Sequence, residues 1–227
     1  MGKEDWYRHE TWNGEIEAEF RARLARARTQ APQYLKIQAG FLANRHPQVA
    51  LRLIDEYFDT GDKFFVADAH CVRAEAFVSI GKIDDALAAY KNALKWEEAH
   101  PNYISVARIQ FPKLVAEARR RDLYALALNV LTERFRIDEH RFHDLRYFWN
   151  GANAVIASDL GRMAEAREFA ERALRASNET RPPFPRHPTI GLVKQTDDDF
   201  GQRIKRIARP SRLRSLFRLI SRAGRKR

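Results

Sequence analysis

His140 and His143 stand three positions apart, with Asp138, Glu139 and Asp144 beside them. Two imidazoles on one helical face with carboxylates close by are the beginning of a metal centre, which still needs a third ligand from elsewhere in the chain. A polar helix face or turn accounts for the pair better, and neither a metal nor another cofactor is expected. Cys71 follows His70 directly. A Cys/His nucleophile requires the two side chains to meet, but adjacent helical positions point about 100° apart, so a buried structural thiol is expected instead. Gly81-Lys82 and Gly161-Arg162 are not phosphate loops, because they lack the preceding glycine and the following Ser or Thr that hold a nucleotide. No enzymatic activity and no small-molecule substrate are expected.

The elements that carry these residues follow from a pattern that occurs twice. Gly81-x4-Ala86-x3-Tyr90-x2-Ala93-Leu94 returns 80 residues later as Gly161-x4-Ala166-x3-Ala170-x2-Ala173-Leu174. Small residues at 74, 86 and 93 let two helices approach closely, while Phe77, Leu87, Tyr90 and Leu94 fill the space around them. Gly81 ends the first helix, since the left-handed residue that closes a helix costs least without a β-carbon. One helix is expected near 67 to 80 and its partner near 83 to 98. The unit at about 147 to 180 repeats this logic with Ala154, Gly161, Ala166, Ala170 and Ala173.

This pattern resembles the turn and second helix of a tetratricopeptide repeat (TPR), which implies an all-α fold, an α-solenoid of about four helical hairpins. Two further units are degenerate. Between 31 and 64, Gln38, Phe41, Ala50, Ile54 and Tyr57 take the corresponding places, with Pro47 at the tolerated first turn of the second helix. Between 108 and 141, Val115, Ala118, Ala127 and Leu131 do so, and Asp122 stands where the turn glycine would be. The unit starts at 31, 67, 108 and 147 are wider apart than the repeat of about 34 residues, which points to longer helix ends or connections.

Ahead of the first unit, residues 1–30 read as a capping segment. Ile16, Phe20 and Leu24 put an apolar residue at every fourth position of a helix, with Arg21, Arg23, Arg26 and Arg28 on the rest of its surface. Trp6 and Trp12 are expected to plug the exposed end of the array; the alternative makes them anchors for a partner. The stretch Asp5-Trp6-Tyr7-Arg8, Thr11-Trp12-Asn13 and Gln33-Tyr34-Leu35-Lys36-Ile37-Gln38-Ala39, with His187-Pro188-Thr189-Ile190-Gly191-Leu192-Val193 later, resembles a group of bacterial TPR-containing proteins. That resemblance spans roughly residues 5 to 200 and implies a bacterial, cytoplasmic setting. It brings no activity with it.

After the repeat region, 31–180, comes a connector, 181–200. Pro182, Pro183, Pro185 and Pro188 prevent a helix there. It reads either as a polyproline ligand or, preferably, as a strap with Phe184, Ile190, Leu192 and Val193 packed down. Thr196-x-x-Asp199 then resembles a capping box opening a helix toward Ile204 and Ile207. The net charge of +11 belongs to a basic tail, 201–227: eleven of the 41 basic residues and no carboxylate fall there, which leaves 30 cations against the 30 acids of residues 1–200. Leu213, Leu216, Phe217 and Ile220 fall on one helical stripe, with Arg214, Arg218 and Arg222 opposite. Arg206, Arg209, Arg212, Arg214, Arg218, Arg222 and Arg225 are therefore candidates for an anionic surface, lipid or nucleic acid, while docking on the repeats and disorder in water stay open.

The single cysteine makes a disulfide-stapled secreted fold implausible, and no run of about 18 apolar residues occurs, so a cytoplasmic location is expected. As the TPR resemblance implies, a groove would be lined by the first helix of each hairpin. That selects Leu35 and Leu42 with Ala39 in the first unit, and Asp68 and Glu75 with Cys71 and Val78 in the second. Arg119 and Arg120 follow from the third, and Phe148 and Ser158 with Val155 from the last. The expected function is a non-enzymatic scaffold that binds a peptide or partner helix in this groove. The alternative is a nucleic-acid-associated or membrane-surface factor acting through the arginine-rich tail.

Overall fold

A computed structural model describes residues 5–135, 142–184 and 186–209. Those residues are helical wherever they are regular, and they form two compact units, 1–114 and 115–227.

The first unit begins with α1 (Gly14–Leu24), opened by Asn13, whose side chain accepts the Ile16 N–H at 2.9 Å. Then come α2 (Ala31–Leu42), α3 (Pro47–Asp59), α4 (Val66–Ser79), α5 (Ile83–Ala99) and the start of α6 (Ala107–Glu117). Pro47 does start α3. Helix α2 pairs with α3 and α4 with α5, and α3 packs on α4, so the unit is two stacked hairpins. Burial of Ala74, Ala86 and Ala93 to 0% exposure is what lets α4 and α5 close on one another. The N-terminal segment completes the core. Trp6 meets Phe20 and Tyr34 at ring distances of 5.7 and 4.8 Å, and Trp12 meets Phe20 at 5.6 Å. Gln38, fully buried on α2, sews that segment down: its amide donates to the His9 carbonyl at 2.8 Å and its oxygen accepts the His9 N–H at 3.0 Å. Both tryptophans are half-buried against the core, the placement a cap requires.

The second unit holds the end of α6, then α7 (Tyr124–Glu133), α8 (His143–Asp159), α9 (Met163–Ser177) and α10 (Asp199–Ala208). Helices α8 and α9 form a hairpin, and α10 packs against both. Gly151 makes that docking possible: a β-carbon there would lie 2.6 Å from Ile204 Cδ1 and 2.8 Å from Phe200 Cζ. The expected start of the basic tail at 201 thus falls inside a docked helix. Gly201 and Ile204 are buried. Arg203 directs its guanidinium into the unit, donating to the Ala116 carbonyl at 2.9 Å and lying 3.3 Å from Asp159, which also accepts the Tyr124 hydroxyl at 2.7 Å.

Three expectations need correction. The turn of the third repeat is at Arg119, φ 52°, rather than at Asp122, and a 3₁₀ turn over Arg121–Leu123 takes up the difference before α7. The cap of α10 is Asp198, whose carboxylate accepts the Gly201 N–H at 2.8 Å, rather than Thr196. Leu192 and Val193 are half-buried as a strap requires, but Phe184 and Ile190 stay 42% and 45% exposed, Phe184 meeting the edge of the unit at the Phe142 ring, 5.6 Å away; the connector is also held by Gly191, whose carbonyl accepts the N–H groups of His143 at 2.8 Å and Asp144 at 3.0 Å. The unpaired donors at the start of α8 are what it satisfies.

Candidate functional site

The eight expected groove residues divide evenly between the units: Leu35, Leu42, Asp68 and Glu75 in the first, Arg119, Arg120, Phe148 and Ser158 in the second. Leu35 and Leu42 are corrected by their burial. They are 3% and 0% exposed and belong to the core that contains Tyr7 and Phe20, because the N-terminal segment covers the face of α2 that a groove would use.

On α4 the expected residues do share a face. Asp68, Cys71, Glu75 and Val78 follow one another at helical spacing. Asp68 is half-buried with Lys36 Nζ at 3.9 Å, and Val78 is 39% exposed. Glu75 is half-buried, and that burial raises its pKa. Cys71 beneath them is a buried thiol pushed up to about 12 by loss of solvent, with the charges of Asp68 and Glu75 adding to the shift. A thiol so placed stays protonated at neutral pH and is inert as a nucleophile.

Behind Cys71 lies a polar network that sequence spacing did not bring together. The thiol donates to Ser105 Oγ at 3.5 Å; Ser105 donates both its N–H and its hydroxyl to Glu97 Oε1, each at 2.6 Å; Arg108 Nε reaches Glu97 Oε2 at 2.6 Å. Glu97 is 2% exposed. Its carboxylate fixes the connection between α5 and α6, since Ser105 Oγ in turn accepts the Ala107 N–H at the start of α6. The hydroxyl has a carboxylate beside it, but Ser105 is 7% exposed, so the arrangement serves as a latch.

In the second unit Arg119 occupies the exposed turn and Arg120 pairs with Asp122 at 2.9 Å. Phe148 and Ser158 are half-buried on α8, and the Ser158 hydroxyl meets Met163 Sδ at 3.6 Å. His143 has its Nε2 3.2 Å from the Arg181 carbonyl, while His140 lies outside the described residues. Among the described residues no group of three or more His, Cys, Asp or Glu is placed to hold a metal. Of the anionic-surface candidates, Arg206 and Arg209 are exposed, and Arg212, Arg214, Arg218, Arg222 and Arg225 lie outside the described residues. No helix among the described residues is long and apolar enough to cross a membrane.

A feature that sequence reading missed is a cleft of about 480 Å³ between α8 and α9, lined by His143, Arg146, Trp149, Asn150, Arg172 and Arg175 among others. Its signal was present as a histidine and an arginine three apart on the first helix of the hairpin, 143 and 146, and two arginines three apart on the second, 172 and 175.

The family comparison falls on the same two hairpins. The tetratricopeptide repeat model matches residues 67–100, which hold α4 and α5, and 154–180, which hold the later part of α8 and all of α9. No curated protein and no solved structure matches the chain. Repeats of this kind mediate protein–protein interaction. With paired helices, glycine turns and buried alanines in the positions the repeat demands, these two hairpins match the tetratricopeptide repeat.

Proposed function

We propose that the protein is a non-catalytic interaction scaffold that holds a peptide or partner helix against the first helices of its hairpins. The observation that carries this reading is the match of both strong hairpins to an interaction repeat. The Asp68, Glu75 and Val78 face of α4 supports it, because a solvent-accessible strip with two carboxylates and an apolar edge suits a partner of complementary charge. A preformed helical surface of this kind binds without a large ordering cost of its own. The tail beyond Arg209 localises or strengthens the complex.

The test is nuclease-treated co-purification from the native host, comparing the full chain with one ending at Arg209 and with full-length D68R/E75R. Ending the shorter chain at Phe200 would cut α10. A defined protein retained by the full and shortened chains but lost from D68R/E75R supports the reading. Retention by the full chain alone, with release by nuclease or detergent, overturns it in favour of binding through the tail.

A further inference from the structure

The cleft between α8 and α9 lies at the open end of the hairpin, away from its glycine turn. His143, Arg146 and Asn150 present one stripe of α8, and Arg172, Arg175 and Ala176 present the facing stripe at the end of α9, with Glu179 just beyond it. Three guanidiniums and an imidazole therefore converge on one cavity with Glu179 as the carboxylate of its lining. Arg172 is held by Glu168 one turn back, and Arg175 makes no ion pair among the described residues. This concentration is local. Residues 1–200 balance 30 cations against 30 acids, and the equivalent places in the hairpin of α4 and α5 hold Val66 for Arg146 and Asn92 for Arg172, with a cation kept at Lys95 for Arg175.

The walls are fixed. Trp149 donates its indole N–H to the Leu131 carbonyl at 3.0 Å and packs its ring on Phe169 at 5.6 Å. Asn150, 7% exposed, donates its amide to the Arg146 carbonyl at 2.8 Å, and its Oδ1 has no hydrogen-bond partner. An acceptor beside a set of guanidiniums suits a ligand that brings both oxyanions and N–H donors. An acidic peptide has both.

We infer that this cleft is a binding site for an acidic segment of a polypeptide, its carboxylates taken by Arg146, Arg172 and Arg175 and its backbone directed toward Asn150. Such binding rests on the interaction reading but uses a different surface, since none of these residues belongs to the expected groove. Planar guanidiniums recognise carboxylates in a two-bonded geometry that a lysine cannot reproduce. The volume of about 480 Å³ accommodates a few side chains rather than a whole helix.

The experiment uses the full chain and a fluorescein-labelled hexaglutamate peptide, with hexaglutamine as control, followed by fluorescence polarisation at physiological salt. Three variants are compared with the parent: R146E/R175E, R175E alone, and R212E/R218E in the tail. Arg146 and Arg175 are exposed, so circular dichroism melts of the first two variants should match the parent. R146E/R175E should weaken hexaglutamate binding by about tenfold or more and R175E by a smaller factor, with the tail variant close to the parent. Binding unchanged in R146E/R175E but lost in R212E/R218E overturns the assignment, as does equal binding of hexaglutamine. A host protein captured equally by parent and R146E/R175E counts against the cleft while leaving the scaffold reading intact. Hexaglutamate binding that depends on Arg146 and Arg175, with no host protein retained, supports the cleft and removes the scaffold reading.

Discussion

The hairpins of α4 and α5 and of α8 and α9 are built by the same rules at one end and by different rules at the other. At the turn they coincide. Gly81 and Gly161 have φ of 73° and 79°; the N–H of the next residue, Lys82 or Arg162, reaches back to Phe77 or Ala157 at 2.9 Å in both. At the open end they diverge: the first hairpin carries the buried Glu97 latch, the second the arginine-lined cleft. Cys71 in the first stands where Gly151 stands in the second, and only glycine admits Phe200 and Ile204 of α10. The repeat thus specifies how two helices meet, and the positions far from the turn are left for whatever each hairpin must hold.

The comparison breaks hardest at Glu97. Its side chain is 1% exposed and takes Ser105 and Arg108. Glu97→Ala leaves the buried Ser105 N–H and hydroxyl without their acceptor and removes one partner of Arg108, a loss of about 3–5 kcal/mol by the usual cost of breaking a buried pair. Ser177, at the equivalent place on α9, only donates to its own helix at the Leu174 carbonyl, so Ser177→Ala should cost less than about 1 kcal/mol. Urea denaturation followed by circular dichroism measures both. Similar losses in the two variants would mean that the open ends are not as different as the hydrogen bonds indicate.

The shared end was legible in the sequence because its code is short and local: alanines at 74, 86 and 93 and a glycine at 81 state a close helix pair within 20 positions. The third turn was not, because Arg119 takes a left-handed conformation that its residue type does not announce, and Asp122 offered a more familiar turn residue. The helix α10 was expected from its cap signal, but counting charges hid its docking. Its cations drew residues 201 onward into the tail, although Phe200 and Ile204 sit four apart on the side that docks. Repeat position alone puts Leu35 and Leu42 on a groove, and it carries no knowledge of the N-terminal segment that covers them. The α8/α9 cleft depends on which helix ends meet in space, and no short window of sequence contains both its sides; the Glu97 latch closes within residues 97–108, but only the fold of the α5–α6 connection brings Ser105 and Arg108 back onto the carboxylate.

Smaller effects test the equivalence of the turns. A β-carbon at Gly81 or Gly161 would meet nothing within 4 Å, so the cost of Gly81→Ala and Gly161→Ala is that of the left-handed backbone alone, about 1–2 kcal/mol each. The two losses should agree within about 0.5 kcal/mol, as neither site couples to a neighbour. Arg119 is the natural reverse of that experiment. The N–H of Arg120 reaches the Val115 carbonyl at 3.0 Å, the same bond that closes the glycine turns. Arg119→Gly should therefore stabilise the chain by about 0.5–1 kcal/mol, the relief of the strained backbone less the added freedom of the unfolded chain. A destabilised Arg119→Gly would mean that the arginine side chain holds the turn by contacts of its own.

The finest distinction between the hairpins is at His70 and its equivalent, Asn150. Each carries a buried polar atom without a partner, Nδ1 in the histidine and Oδ1 in the asparagine, but only the histidine titrates. Burial and, second, the charge of Arg73 lower the His70 pKa from 6.5 to about 4, while its ring lies 4.7 Å from that of Phe58. The folded value is below the unfolded one, so the unfolded chain binds the proton first. The contribution of His70 to stability is then complete above about pH 6.5 and is lost progressively as the pH falls toward 4. Because the ring is half-buried, solvent screening keeps the effect smaller than those above. His70→Asn, which gives the first hairpin the residue of the second, should flatten the decline in urea midpoint between pH 7 and pH 5 while changing the midpoint at pH 7 far less. An undiminished acid slope in that variant would mean that His70 is not its source and leave the two hairpins alike in this respect.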